Sequence, residues 1–191
     1  MKRKTDSPDV ATTSASADDC DLSSGAEFEV FLNFRGPDTR LSFADCLYHS
    51  LVRAGIRVFR DFEEIRTGEV IGDKLLQAIE SSKIYVPIFS RDYASCTWCL
   101  RELAHMVECS SKENGKVILP IFYYVNPDDV KLKTRLYLDD LKQHEKKFGC
   151  DDVRQWKNAL TEVARINGWG LKDKGYDCGF EICFLLFFLG N

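Results

Sequence analysis

A chain of 191 residues, 45% hydrophobic and 29% charged, has room for one domain of ordinary size, and its apolar content excludes a fibre or a wholly disordered polymer. Its formal net charge of -4 leaves no basic excess to neutralise phosphates, which argues against nucleic acid as a partner, and Lys2-Arg3-Lys4 is too short a cluster to change that. Eight cysteines with no secretory signal ahead of them and no regular pairing point to free thiols in a reducing cytoplasm.

From Met1 to about Ala26 the chain is rich in Ser, Thr, Ala and Asp and poor in apolar residues, so a disordered leader is expected over 1–26. Phe28 to Phe34 is then aromatic and β-branched, interrupted only by Glu29 and Asn33, the pattern of a strand covered on both faces and hence parallel. It runs into Arg35-Gly36-Pro37-Asp38-Thr39-Arg40. Glycine admits a ligand to the backbone, proline stiffens the turn, and two arginines carry forked donors suited to phosphate or carboxylate oxygens. The same residues also suit a structural turn in which Asp38 or Thr39 caps the next helix.

That helix is predicted over Leu41 to Ala54, with Phe43, Leu47, Leu51 and Val52 at helical spacing and Gly55 ending it. Ile56 to Arg60 reads as a second strand, Asp61 to Glu69 as an acidic loop holding Gly68, and Ile71 to Ser81 as a helix with Leu75, Leu76 and Ile79 inward. A third strand is predicted over Ile84 to Phe89, a helix over Trp98 to Cys109 and a fourth strand over Val117 to Val125. The remainder to about Asn167 is helical and charged, with Trp156, Leu160, Val163 and Ile166 as its buried stripe, and Gly168-Trp169-Gly170 is a short fifth strand. Strands alternating with helices at this spacing predict an α/β fold, a flavodoxin-like doubly wound parallel five-stranded sheet flanked by helices.

In such a sheet of order 2-1-3-4-5, ligands bind outside the carboxyl ends of the strands, where the order reverses between strands one and three. This brings the Arg35 to Arg40 loop beside the segment that follows Phe89. There Trp98 and Glu102, four apart, share a helix face. A carboxylate beside an aromatic wall with arginines opposite can stabilise the cation formed when a glycosidic bond breaks. The plain alternative is a surface glutamate paired with a basic residue. Cys96 and Cys99 form a single C-x-x-C, which suits two free thiols better than a metal site, and Glu102 with His105 lacks the partner set of a di-metal centre. The first loop has no phosphate-binding G-x-x-x-x-G-K-[ST], Asn33 stands where a phosphoryl acceptor would carry acid, and no Ser-His-Asp set can be placed.

Four ordered blocks carry a resemblance: F-L-N-F-R-G-P-D-T-R at 31–40, F-R-D-F-E-E-I-R-T-G-E at 59–69, Y-A-S-C-T-W-C-L-R-E-L at 93–103 and I-L-P-I-F-Y-Y-V-N-P-D-D-V at 118–130. The chain resembles the plant TIR (Toll/interleukin-1 receptor-like) domain of immune receptors, those of flax rust resistance among them, over roughly 27–170. The resemblance implies an NAD+ nucleosidase that cleaves the nicotinamide-ribose bond of NAD, without a metal, to give ADP-ribose-type signalling nucleotides in plant defence and cell death. It maps the catalytic glutamate onto Glu102, the nucleotide-contacting loop onto Arg35, Gly36, Pro37, Asp38, Thr39 and Arg40, the mobile second loop onto Gly68 and a tryptophan of the site onto Trp98. It further implies activation by TIR–TIR self-association, lipase-like immune regulators that sense the products, and a cytoplasmic or also nuclear location. The alternative it carries is a catalytically silent TIR module that binds and modulates full-length TIR immune receptors.

This chain departs from the family pattern at Asp61-Phe62, Cys46 and Arg135, the last two bearing on self-association. After Gly170 the agreement ends, no ATPase or leucine-rich-repeat segment follows, and a TIR-only protein or a truncated transcript both account for that. The divergent apolar tail, 171–191, includes Phe180 to Leu189, which as a helix would extend ~15 Å against a ~30 Å hydrocarbon core. No transmembrane anchor is therefore expected from it.

Overall fold

The computed structural model describes residues 28–60, 71–113 and 115–171, the side chains of 71–73 excepted. The leader, the acidic loop with Gly68 and, beyond Leu171, the apolar tail lie outside the described residues.

The run after Phe28 forms β1 (Val30–Phe34), every residue of it buried. β2 (Val58–Arg60) and β3 (Ile84–Phe89) flank it in parallel, with Val30 facing Val58 on one side and Ile84 on the other. The predicted fourth strand is split by the Leu119-Pro120 step. β4 (Val117–Ile118) and β5 (Ile121–Tyr123) pair with the first and second halves of β3, because proline has no N–H to continue a ladder. β6 (Trp169–Leu171) closes the far edge on β5, giving the order β2-β1-β3-β5-β6. With β4 and β5 counted as one interrupted strand, this is the expected 2-1-3-4-5 sheet.

Helices cover both faces. On one lie α3 (Ile71–Ser81), α4 (Thr97–Lys112), α6 (Leu138–Phe148) and α7 (Cys150–Val163), packed around Phe31, Tyr85, Phe89, Leu100, Leu103 and Leu160. On the other, α2 (Phe43–Arg53) packs Phe43, Leu47 and Leu51 against Val30, Leu32, Val86 and Ile88. Side chains alternate along a strand, so Val30, Leu32 and Phe34 face α2 while Phe31 faces the α4 layer. Asn33 falls on the α4 side by the same alternation.

Two short helical turns were not expected. α1 (Gly36–Thr39) lies inside the loop after β1, and α5 (Pro127–Val130) is held by a reciprocal cap between Asn126 and Asp129. Three expected stripe residues prove exposed, Val52, Leu76 and Ile166, while Ala78 takes the inward place in α3. Gly55, at φ 82°, ends α2 as expected. Gly168 is required for another reason: a Cβ there would lie 2.3 Å from the Pro120 carbonyl oxygen, where the chain enters β6.

Candidate functional site

β1 exits toward the α2 face and β3 toward the α4 face, so their carboxyl ends diverge and leave a crevice. A cavity of about 350 Å³ sits there, and it brings together Arg35, Gly36, Pro37, Arg40, Trp98 and Glu102 of the expected site. Asp38 and Thr39 do not line it. The Asp38 carboxylate accepts from the Arg35 guanidinium and from Ser90 Oγ, and Thr39 is buried. Neither caps the next helix, since the residue preceding α2 is Ser42 and no side chain bonds there. The capping expectation fails because Asp38 is drawn to the exit of β3. Gly68 lies outside the described residues.

Glu102 is placed by the helix-opening residues beneath it. Its Oε2 accepts from Asn33 Nδ2 at 2.8 Å, and the same amide nitrogen donates to the Cys99 carbonyl at 3.3 Å. The Tyr93 hydroxyl donates to Asn33 Oδ1 and lies 3.2 Å from the Cys99 carbonyl. Asn33 is fully buried, and so is Tyr93, whose hydroxyl burial holds far above the ordinary tyrosine range. The carboxylate is therefore aimed by a side chain from the centre of the sheet. Pattern reasoning treated Asn33 as an interruption in β1; its inward register could have found it.

The opposite wall is equally tied down. Arg35 Nε donates to Ser95 Oγ at 3.1 Å, which in turn donates to the Asp92 carbonyl at 2.7 Å. The Arg40 guanidinium lies over Gly36, where a Cβ would come within 2.8 Å of its nitrogen, so glycine at 36 sets where that arginine rests. Trp98 is 43% exposed and stands at the rim, with the Arg101 guanidinium 5.7 Å from its ring centre.

Cys96 was read from the sequence only as a free thiol. It is the N-cap of α4, its Sγ accepting from Cys99 N at 3.4 Å, and it lines the cavity with Cys99. Hydrogen bonds from the Cys99 thiol and from the backbone amides of Cys99 and Trp98, with Arg35 nearby, bring its pKa down to about 6 against the opposing effect of burial. No group of three or more His, Cys, Asp or Glu side chains among the described residues is arranged to hold a metal.

The family model described as TIR domain matches residues 27–180. The chain is 43% identical over 150 residues to the disease resistance protein RPV1 of Vitis rotundifolia, covering 78% of this chain and 10% of that protein. It is 38% identical over 148 residues to the TMV resistance protein N of Nicotiana glutinosa, covering 76% and 13% respectively. The chain thus spans little more than a tenth of such relatives. The TIR domains in the structure of the activated Roq1 resistosome, which directly recognises the pathogen effector XopQ, superpose with a TM-score of 0.77 at 36% identity, covering 85% of this chain and 99% of that one.

Proposed function

From the premise that this chain belongs to the TIR domain family, matched over 27–180, we propose that it is an NAD+ nucleosidase of plant immune signalling, active in a self-associated state. The observation that carries this reading is the Glu102 carboxylate held at 2.8 Å by a buried asparagine on one wall of a cavity whose other wall bears Arg35 and Arg40. In NAD+ the nicotinamide nitrogen already carries the positive charge, so breaking its bond to ribose C1′ returns the electron pair to a neutral leaving group. No metal is needed for that step. Charge then develops on the ribose ring, and Glu102 stabilises it and orients the ribose hydroxyls. Water adds to C1′ and releases a proton, leaving ADP-ribose. Arg35 and Arg40 hold the phosphates through charge-assisted hydrogen bonds, Gly36 and Pro37 shape the floor, and Trp98 screens the reacting carbon at the rim. Asp38 and Thr39 serve from behind, Asp38 by fixing the Arg35 fork. The second loop with Gly68, outside the described residues, is proposed to complete the site across a contact with a neighbouring copy.

Purified protein incubated with NAD+ at rising concentration is expected to release free nicotinamide with a specific activity that climbs with protein concentration. Glu102→Ala is expected to remove that release while leaving the far-ultraviolet circular dichroism unchanged. Turnover by the variant equal to the parent rules out the assignment. Specific activity independent of concentration rules out the need for assembly.

A second reading, a silent module that modulates full-length TIR receptors, is favoured by Cys46 and Arg135, both exposed where the family's association surfaces are expected. It predicts no nicotinamide at any concentration, together with co-elution of this chain with a receptor TIR domain.

A further inference from the structure

Cys96 and Cys99 occupy the cap and third positions of α4, one turn apart at the mouth of the candidate site. Cys96 is half-buried and faces the cavity, whereas Cys99 is 4% exposed beneath it. The Cys99 amide donates to Cys96 Sγ at 3.4 Å. Its thiol proton has two acceptors in reach, the Phe34 carbonyl at 3.3 Å and Cys96 Sγ, and turns to the sulfur once Cys96 is ionised. One sulfur is thus activated and faces the cavity, and the other is shielded, adjacent and donates a hydrogen bond to it.

We propose that Cys96 and Cys99 form a redox-active dithiol, Cys96 the attacking sulfur and Cys99 the resolving one, whose disulfide form disarranges the cavity. With a peroxide as oxidant, the Cys96 thiolate attacks the O–O bond, keeps one oxygen as the sulfenic acid and releases the other, with a proton, as water. The Cys99 sulfur then attacks Cys96 Sγ, the S–O bond breaks and a second water leaves. Two thiols and one peroxide become one disulfide and two waters, and a dithiol reductant reverses the change while itself becoming a disulfide.

The link to the site runs through the backbone. Bonding to Cys96 takes the Cys99 sulfur off the Phe34 carbonyl, and the Cys99 carbonyl is one of the two acceptors of the Asn33 amide that holds Glu102. Shifting Cys99 therefore loosens the carboxylate, an effect on turnover that rests on the NAD+ reading above, although the thiol chemistry does not.

The full chain, reduced and freed of reductant, would be titrated with hydrogen peroxide, alkylated and digested with trypsin. The peptide Asp92 to Arg101 contains both sulfurs and no other cysteine, so its mass reports on them alone. It is expected to lose the mass of two hydrogens before the peptides of exposed Cys46 and Cys150 change, and to regain it in dithiothreitol. In Cys99→Ser, dimedone is expected to label Cys96; in Cys96→Ser, Cys99 should remain a free thiol. A wild-type peptide that still takes two alkyl groups after Cys46 and Cys150 have been oxidised overturns the proposal.

Nicotinamide release by oxidised protein is expected to fall by about tenfold, because small displacements of an aligned catalytic group cost at least that much, and to recover on reduction. Unchanged release with a fully formed disulfide overturns the coupling to the site. A disulfide that forms while neither state releases nicotinamide overturns the NAD+ reading and leaves the dithiol standing.

Discussion

The two ends of α4 carry similar residues and put them to opposite uses. At its start, Cys96 and Glu102 face a cavity and are held by groups from β1 and from the helix's own amides. At its end, His105 lies 3.4 Å from Glu80, Glu108 pairs with Lys112 at 2.5 Å, and Cys109 is 3.7 Å from the His105 ring. The two thiols shift in opposite directions. Donors at the helix start bring Cys96 down to about 6, while burial, with Glu80 and Glu113 nearby, pushes Cys109 up against the pull of Lys116. What separates the ends is first the Cys99 thiol that donates to Cys96, and then the direction in which backbone N–H groups point: a helix start offers them to a half-buried sulfur and a helix end does not.

The sharpest way to break this contrast is to neutralise one carboxylate at each end. Glu102→Gln keeps the shape and the Asn33 contact while removing the charge, and nicotinamide release is expected to fall by ~10²-fold or more. Glu108→Gln is expected to leave it unchanged. Equal losses from both variants, measured by nicotinamide quantification at one protein concentration, would erase the distinction.

A smaller effect should follow from removing the aim without the charge. In Asn33→Leu the Tyr93 hydroxyl keeps the Cys99 carbonyl as acceptor, so the fold is expected to survive, while kcat drops by about tenfold, the equivalent of roughly 1.4 kcal/mol for one lost hydrogen bond to a charged group. KM should move less than kcat. A KM increase with kcat intact would make Asn33 a binding residue instead.

The thiols give a third test. Iodoacetamide labelling of Cys96, followed by peptide mass, is expected to quicken as pH rises through about 6, because only the thiolate attacks and its proton is lost there. Cys109 should label only at alkaline pH, its thiol being raised by burial. Cys99→Ser is expected to move the Cys96 midpoint upward, since the serine hydroxyl is a poorer fit for the distance that the sulfur spans. The smallest effect concerns Lys112→Met, which should shift the melting temperature within measurement scatter, as solvated i,i+4 pairs contribute little.

Much of this contrast was legible in the residues, and what escaped at the site itself has one cause. Continuous apolar runs located β1 and β3, the bounds of α3 were read directly, and the four-residue spacing of Trp98 and Glu102 put both at one cavity. Spacing could not say what lay beneath Glu102, because Asn33 reaches it across 69 positions of sequence. Asp38 likewise answered to Ser90 on another strand, and Cys96 became a cap only once the turn after β3 had aimed it. Val52 and Leu76 erred differently: each borders a helical stripe, where the angular step leaves inward and outward faces nearly degenerate, whereas Ile166 lies past the end of α7 at Val163, where helical spacing no longer places it.

The Asn33 amide has a spectroscopic use. Both of its N–H bonds have acceptors inside a buried site, so its side-chain NH₂ pair should appear in a nitrogen–proton correlation spectrum as two peaks displaced from the common position of exposed amides and slow to exchange with water. One of those protons points at Glu102, so the molecule carries its own magnetic resonance probe of anything that enters the cavity, with no label attached to the site.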